Sequence, residues 1–150
     1  MAQDPLIEVT MPALLRGART AYGGAMRQSL AENGFGDIPK NGIFVLGALN
    51  RTGAPLADII KTLGVSKQSA GQLVDTLVER GYLERSADAE DRRRVTIRLS
   101  KRGRAAAEIS REANRRVTEA LLEKIGADGV AALRKGLAAL IELSWERKWG

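Results

Sequence analysis

The chain has 150 residues, 44% of them hydrophobic and 28% charged, which is enough apolar material for one cored domain. It contains no cysteine and no histidine, so disulfides, thiolate metal sites, thiol redox sensing, the physiological pH switch and the usual general base are all excluded. Its formal net charge of +6 points to a polyanionic partner.

There is no Ser-His-Asp set, HExxH, P-loop or GxGxxG, and the glycine-rich spots Gly23-Gly24 and Gly34-Phe35-Gly36 lack the flanks that a phosphate loop needs. Without a convergent catalytic set, neither an enzyme nor a bound metal or cofactor is expected. No apolar run approaches the roughly 20 residues of a membrane span. Met1-Ala2-Gln3-Asp4 also lacks the positive start of a signal peptide. The expected location is therefore the cytoplasm, with no membrane partner.

In chain order, residues 1–10 read as an arm whose Leu6, Ile7 and Val9 can dock on an apolar surface. Thr10 is placed to cap a helix with Pro12 in its first turn. Along that helix Met11, Leu14, Leu15, Ala18, Tyr22, Ala25, Met26 and Leu30 form a stripe that ends near Asn33-Gly34. Gly23-Gly24 in its middle predicts a bend or a close approach by another group. A second helix is expected over 39–49, with Ile43, Phe44, Leu46 and Leu49 inward and a turn at 50–53. Pro55 opens a third, whose Leu56, Ile59, Ile60 and Leu63 face the core.

Leu63-Gly64-Val65-Ser66 then has helix-turn-helix grammar: a helix stopped at glycine, a turn, and a serine N-cap for the next helix. In that next helix Ala70, Leu73, Val74, Leu77 and Val78 recur at three and four, forming one buried stripe. Lys67, Gln68, Ser69 and Gln72 are left outward in the first two turns, the part of a recognition helix that reaches base edges. A plain solvated face is the competing reading of those four residues, and the next segment decides between them. After Gly81, Tyr82-Leu83-Glu84-Arg85 and the strictly alternating Val95-Thr96-Ile97-Arg98-Leu99 form the arms of a β-hairpin. Residues 85–104 hold eight Lys or Arg against three acids, so nearly all of the net charge sits beside the motif. An arginine-tipped wing has a specific use there, because Arg is drawn into the narrow, negative minor groove while the helix occupies the major groove.

Ser100 caps a long helix through Ile109, Ala113, Val117 and Leu121 to Ile125, terminated by Gly126. Asp128 caps a last helix, with Val130, Leu133, Leu137, Leu140, Ile141, Trp145 and Trp149 on one face. These helices either complete a monomer core or form a dimer interface. The tryptophans one turn apart favour the interface, for which Leu14, Leu133, Leu137, Ile141 and Trp145 are the candidates.

Around the wing, the chain resembles the MarR family of winged helix-turn-helix transcription regulators. The family pattern D-P-x-D-R-R, alternating apolar residues, then L-T-x-x-G stands here as Asp88-Ala89-Glu90-Asp91-Arg92-Arg93, Val95, Ile97, Leu99, Ser100 and Gly103. Ala89 replaces the proline and Ser100 the threonine. Leu63-Gly64-Val65-Ser66 and Glu79-Arg80-Gly81-Tyr82-Leu83 match the family's helix-turn-helix and pre-wing segments. The resemblance implies a mainly α fold with a small β-wing: a winged helix-turn-helix lobe over about 37–100, and N- and C-terminal dimerisation helices over about 10–34 and 101–149.

The function so implied is a sequence-specific regulator of transcription. It would be a repressor that binds an inverted repeat in double-stranded DNA as a homodimer and is released by a small-molecule effector. A winged-helix module for RNA or a protein partner is the alternative. Ser66 would cap the recognition helix and receive a phosphate; Gln68, Ser69 and Gln72 would read bases. Arg92, Arg93 and Arg94 would form the wing tip braced by Asp91, and Lys67, Arg98, Lys101 and Arg102 would meet phosphates. Arg16, Arg19, Tyr22 and Phe44 are available to line an effector pocket, although surface cations and core aromatics account for them equally well.

Overall fold

A computed structural model describes residues 5–52, 56–87 and 95–146. Within them the elements run α1 (Met11–Glu32), α2 (Gly42–Thr52), α3 (Leu56–Leu63), α4 (Lys67–Glu79), β1 (Leu83–Ala87), β2 (Val95–Leu99) and α5 (Lys101–Glu146). The chain divides into two compact units, Met1–Asn114 and Arg115–Gly150. The expectation of a mainly helical chain with a small two-stranded wing is met.

In the first unit, the largest fully buried side chains are Leu30, Val45, Leu46, Leu77, Tyr82 and Leu83, so α1, α2, α4 and the base of the wing share one core. The start of α5 joins them through Ala106, Ala107 and Ala113, each at most 1% exposed. Small residues on that stretch let the helix lie close to the hairpin base. Gly103 is the extreme case, since a Cβ there would stand 2.0 Å from the carbonyl oxygen of Tyr82. That carbonyl also accepts from Ser100 N at 3.1 Å, and Ser100 Oγ accepts from Gly103 N at 2.9 Å while donating to the Gly81 carbonyl. One hydroxyl therefore caps α5 and holds the entry to β1.

The α1 stripe divides along its length. Its C-terminal half supplies buried Met26 and Leu30 and half-buried Tyr22 and Ala25. Met11 and Leu15 stay exposed and Leu14 half-exposed. Thr10 occupies the N-cap in an extended conformation, but its side chain makes no capping bond. Helix α1 runs unbroken through Gly23-Gly24.

Helix α2 starts at Gly42 rather than at residue 39, because residues 39–42 close a turn in which Gly42 N donates to the Pro39 carbonyl at 2.8 Å. It continues to Thr52, so residues 50–52 of the expected turn are helical. Pro55 lies outside the described residues.

The wing strands pair antiparallel in the register Leu83↔Leu99, Arg85↔Ile97 and Ala87↔Val95. This follows from the alternation that puts Leu83 and Leu99 into the core. Helix α5 is interrupted at Gly126, whose φ of 75° and ψ of 172° lie in a region that only glycine adopts cheaply. Helical geometry resumes immediately, so Asp128 falls in the first turn of the second segment, where a carboxylate suits the helix dipole.

In the second unit no described residue is fully buried. Leu122, Ile125, Leu133, Leu137, Leu140 and Trp145 are all exposed, and Ile141 is half-exposed. Trp149 lies outside the described residues.

Candidate nucleic-acid interface

The helix-turn-helix forms because α3 stops at Gly64 and Ser66 starts α4. Ser66 Oγ accepts from Ser69 N at 3.1 Å, the N-cap bond expected of it. The same hydroxyl donates to Ser69 Oγ at 3.0 Å, so the two serines at the head of α4 orient each other. Ala70, Leu73, Val74 and Leu77 are buried. That fixes the roll of α4 and leaves Lys67, Gln68, Ser69 and Gln72 exposed. The four predicted contact residues thus share one solvent face of a helix held at its start by a cap and along its length by the core.

Three polar links tie α4 and the wing base to their surroundings. Arg85 on β1 pairs with Asp75 on α4, a surface contact between wing and recognition helix. Arg98 pairs with Glu84 across the strands at 3.3 Å, and both side chains are about half exposed or more. Pairs so exposed are worth little, so Arg98 is free to turn toward a phosphate. The wing-tip residues Asp91, Arg92, Arg93 and Arg94 lie outside the described residues.

The third link joins Arg102, Tyr82, Phe35 and Asp37. Arg102 lies over the ring of Tyr82 at 4.6 Å and that of Phe35 at 5.3 Å. It donates to the Tyr82 hydroxyl at 3.0 Å and to Asp37 Oδ1 at 3.3 Å. The Tyr82 hydroxyl donates to the Asp37 carboxylate, and Arg80 donates to the Asp37 carbonyl. Expected at a phosphate, Arg102 instead knots the α1–α2 loop to the wing base and the start of α5. The Tyr82 hydrogen bond, with the Arg102 charge behind it, holds the Asp37 carboxyl below the usual carboxylate range despite an opposing desolvation cost. Burial first, and then the bond to Asp37, push the Tyr82 phenol up to about 12. Nothing in the spacing of Asp37, Tyr82 and Arg102 marks them as partners, because they meet only through the fold.

Beside α4 a groove of about 300 Å³ is walled by Ser69, Gln72 and Thr76 on one side and by Lys40 and Asn41 on the other. Lys40 and Asn41 are therefore neighbours of the recognition face, which their place in a loop before α2 did not reveal. Among the described residues no cluster of acids suited to a metal ion occurs, and no helix is long and apolar enough to cross a membrane.

A helix-turn-helix with a capped second helix, followed by a two-stranded wing, defines a winged helix-turn-helix protein. The MarR family profile matches residues 38–94. The chain is 33% identical over 86 residues to the uncharacterized HTH-type transcriptional regulator YwhA of Bacillus subtilis, covering 57% of this chain and 62% of that protein. It spans about 60% of the length of the curated relatives it matches. Among solved structures it is similar to a probable transcriptional regulator from Pseudomonas aeruginosa, with 27% identity, 89% of this chain and 98% of that one covered, and a TM-score of 0.65. The same fold is found in the MepR–DNA complex of S. aureus, with 22% identity, 90% and 98% coverage and a TM-score of 0.69. The match to the MarR family thus covers the helix-turn-helix and wing segment of the chain, and the solved structures similar to it share its winged-helix fold.

Proposed function

We propose that this protein is a transcriptional repressor that binds an inverted repeat in double-stranded DNA as a homodimer and is released by a small-molecule effector. The observation that carries the DNA-binding reading is the exposed face of Lys67, Gln68, Ser69 and Gln72 on a helix whose roll and start are both fixed. Gln can pair bidentately with adenine, and the N-terminus of α4 suits a phosphate. The basic stretch at 85–104 supplies the charge that a phosphate backbone attracts. That MepR was crystallised with DNA supports the same reading.

The dimer reading rests on apolar surface. In residues 115–146 exposed leucines, isoleucine and Trp145 line helical segments none of whose described residues is fully buried. Segments of that length gain most of their stability from packing an apolar face. Met11 and Leu15 on α1, with Leu6 and Ile7 before it, add further exposed apolar surface. A second copy would cover Leu14, Leu133, Leu137, Ile141 and Trp145, and a two-fold dimer would place two recognition helices one DNA turn, roughly 34 Å, apart.

A mobility-shift titration on the DNA upstream of the protein's own gene tests the proposal. A duplex-specific complex is expected, with log K falling against log salt at a slope of about −5 to −9, as about 6 to 10 neutralised phosphates require. A slope shallower than about −2 would remove the DNA-binding dimer, and a preference for RNA of the same sequence would move the function to RNA.

A further inference from the structure

The recognition helix and the wing are joined by three residues, Arg80, Gly81 and Tyr82, between the end of α4 at Glu79 and the start of β1 at Leu83. Gly81 has a φ of 83°, in the left-handed region that glycine enters cheaply, so the angle between the two parts is set at this joint. Backbone bonds tie it on two sides. The N–H groups of Arg80, Gly81 and Tyr82 donate to the carbonyls of Thr76, Val78 and Leu77 in the last turn of α4, at 2.8 to 3.0 Å. The Gly81 carbonyl accepts from the Ser100 hydroxyl and the Tyr82 carbonyl from Ser100 N. Beyond the buried pair Leu83 and Leu99, the described residues of the wing are exposed or half-buried.

Side chains close the third side. Arg80 and Tyr82 both donate to Asp37, one to its carbonyl and the other to its carboxylate. Arg102 covers the joint: its Cδ would stand 3.7 Å from a Cβ on Gly81, while its guanidinium lies over the Tyr82 and Phe35 rings and reaches Asp37. The Arg102–Asp37 pair is about half exposed and the Arg85–Asp75 pair at least as much, and ion pairs so exposed are worth little by themselves. What sets Arg102 apart is its flat group, which two rings and a hydroxyl hold in one place.

We propose that Arg102 is a positioning residue for DNA reading: by closing over the Gly81 joint it fixes the angle at which α4 and the wing meet adjacent grooves. This role rests on the DNA-binding reading above. Base edges and the minor groove can be read together only if helix and wing fit one duplex at once, and a joint already held at that angle loses less freedom on binding. Non-specific binding makes no such demand, since it draws on backbone charge alone. Arg102 therefore acts on specificity and not on phosphate attraction, although it carries a positive charge.

Mobility-shift titrations of the full chain at several salt concentrations test this, comparing the upstream duplex with a scrambled duplex of the same composition. Arg102→Gln should lower the ratio of the two affinities about tenfold and leave the salt slope unchanged. Arg102→Lys should behave like Arg102→Gln, because lysine keeps the charge but has no flat group to lie on the rings. Asp37→Ala should lower the ratio too, although it removes a negative charge, and should add little when combined with Arg102→Gln. Partial unfolding of a variant lowers both affinities together and so does not move the ratio. If Arg102→Lys binds like wild type while Arg102→Gln flattens the slope by about 1.8, as one phosphate lost from each of two subunits requires, Arg102 is a phosphate contact and the positioning role falls. It falls as well if Asp37→Ala binds the upstream duplex more tightly than wild type does. A ratio unchanged in every variant, with a steep slope for wild type, leaves the regulator standing without this role. Wild type that binds no duplex removes the DNA-binding reading, and the positioning role with it.

Discussion

The carbonyl oxygen of Tyr82 and the α-carbon of Gly103 are packed so closely that a methyl group on the glycine would overlap the oxygen, at 2.0 Å. The neighbour is backbone and cannot swing aside, and it is already bonded to Ser100 N. Gly103→Ala should therefore destabilise the fold by about 1–3 kcal/mol or more, as overpacking of a rigid contact does. Equilibrium urea denaturation checks this, and an unchanged midpoint would contradict the packing described.

The Asp37–Tyr82–Arg102 knot predicts a stability loss at both pH extremes. The Tyr82 phenol is raised from 10.0 to about 12 in the folded protein. Its contribution is therefore complete below the unfolded value of 10 and is lost as pH rises toward 12. Asp37 is shifted the other way, from 3.8 downward. Its contribution is present above 3.8 and disappears as pH falls through the folded value. Tyr82→Phe removes both the phenol and the largest cause of the Asp37 shift, so thermal melts across pH should flatten at the acid and the alkaline end together. A variant profile parallel to wild type would dissolve the knot.

At the DNA interface the two contact regions should fail differently. Gln68→Ala on the exposed face of α4 should relax discrimination at one base position and barely change non-specific affinity. Arg93→Ala in the basic wing sequence should cost about 1–3 kcal/mol at the specific site. Competition binding against single-base variants of the operator reads the difference, and equal losses on every DNA would erase the distinction between base-reading helix and shape-reading wing.

Charge placed on the α5 apolar face tests the assembly. Leu137 is 36% exposed, and Leu137→Glu with Ile141→Glu should turn a dimer into a monomer and abolish specific DNA binding, since one winged helix reads too few base pairs alone. Light scattering at micromolar concentration decides it. A wild type that is monomeric there, or a double variant that still dimerises, would each refute the placement.

What was legible in the sequence is what has a period or a local grammar. The α4 stripe, the Ser66 cap, the alternation that sets the wing register and the break at Gly126 each depend on residues a few positions apart, and each is found where expected. Pro39 resembles a helix start, yet the next residues close a turn, so α2 begins three residues later. Contacts between distant residues left no trace. Arg102 lies 65 positions from Asp37, and its charge reads the same whether it faces a phosphate or an aromatic ring. Lys40 likewise became a neighbour of Gln72 only once α1, α2 and α4 were packed. Of the residues proposed for an effector pocket, Arg16, Arg19 and Phe44 do line one cavity, whereas Tyr22 packs against the core instead.

Both tryptophans of the chain, Trp145 and Trp149, belong to the unit Arg115–Gly150, and both tyrosines belong to Met1–Asn114. The protein therefore has a separate built-in optical reporter for each unit. Trp145 is 43% exposed in the single chain, so its emission should shift to shorter wavelength when another surface covers it. Excitation at the red edge of the absorption band would then follow assembly alone, while tyrosine absorbance follows the lobe that carries α4. The proposed association would then have its own signal, without a dye or a label.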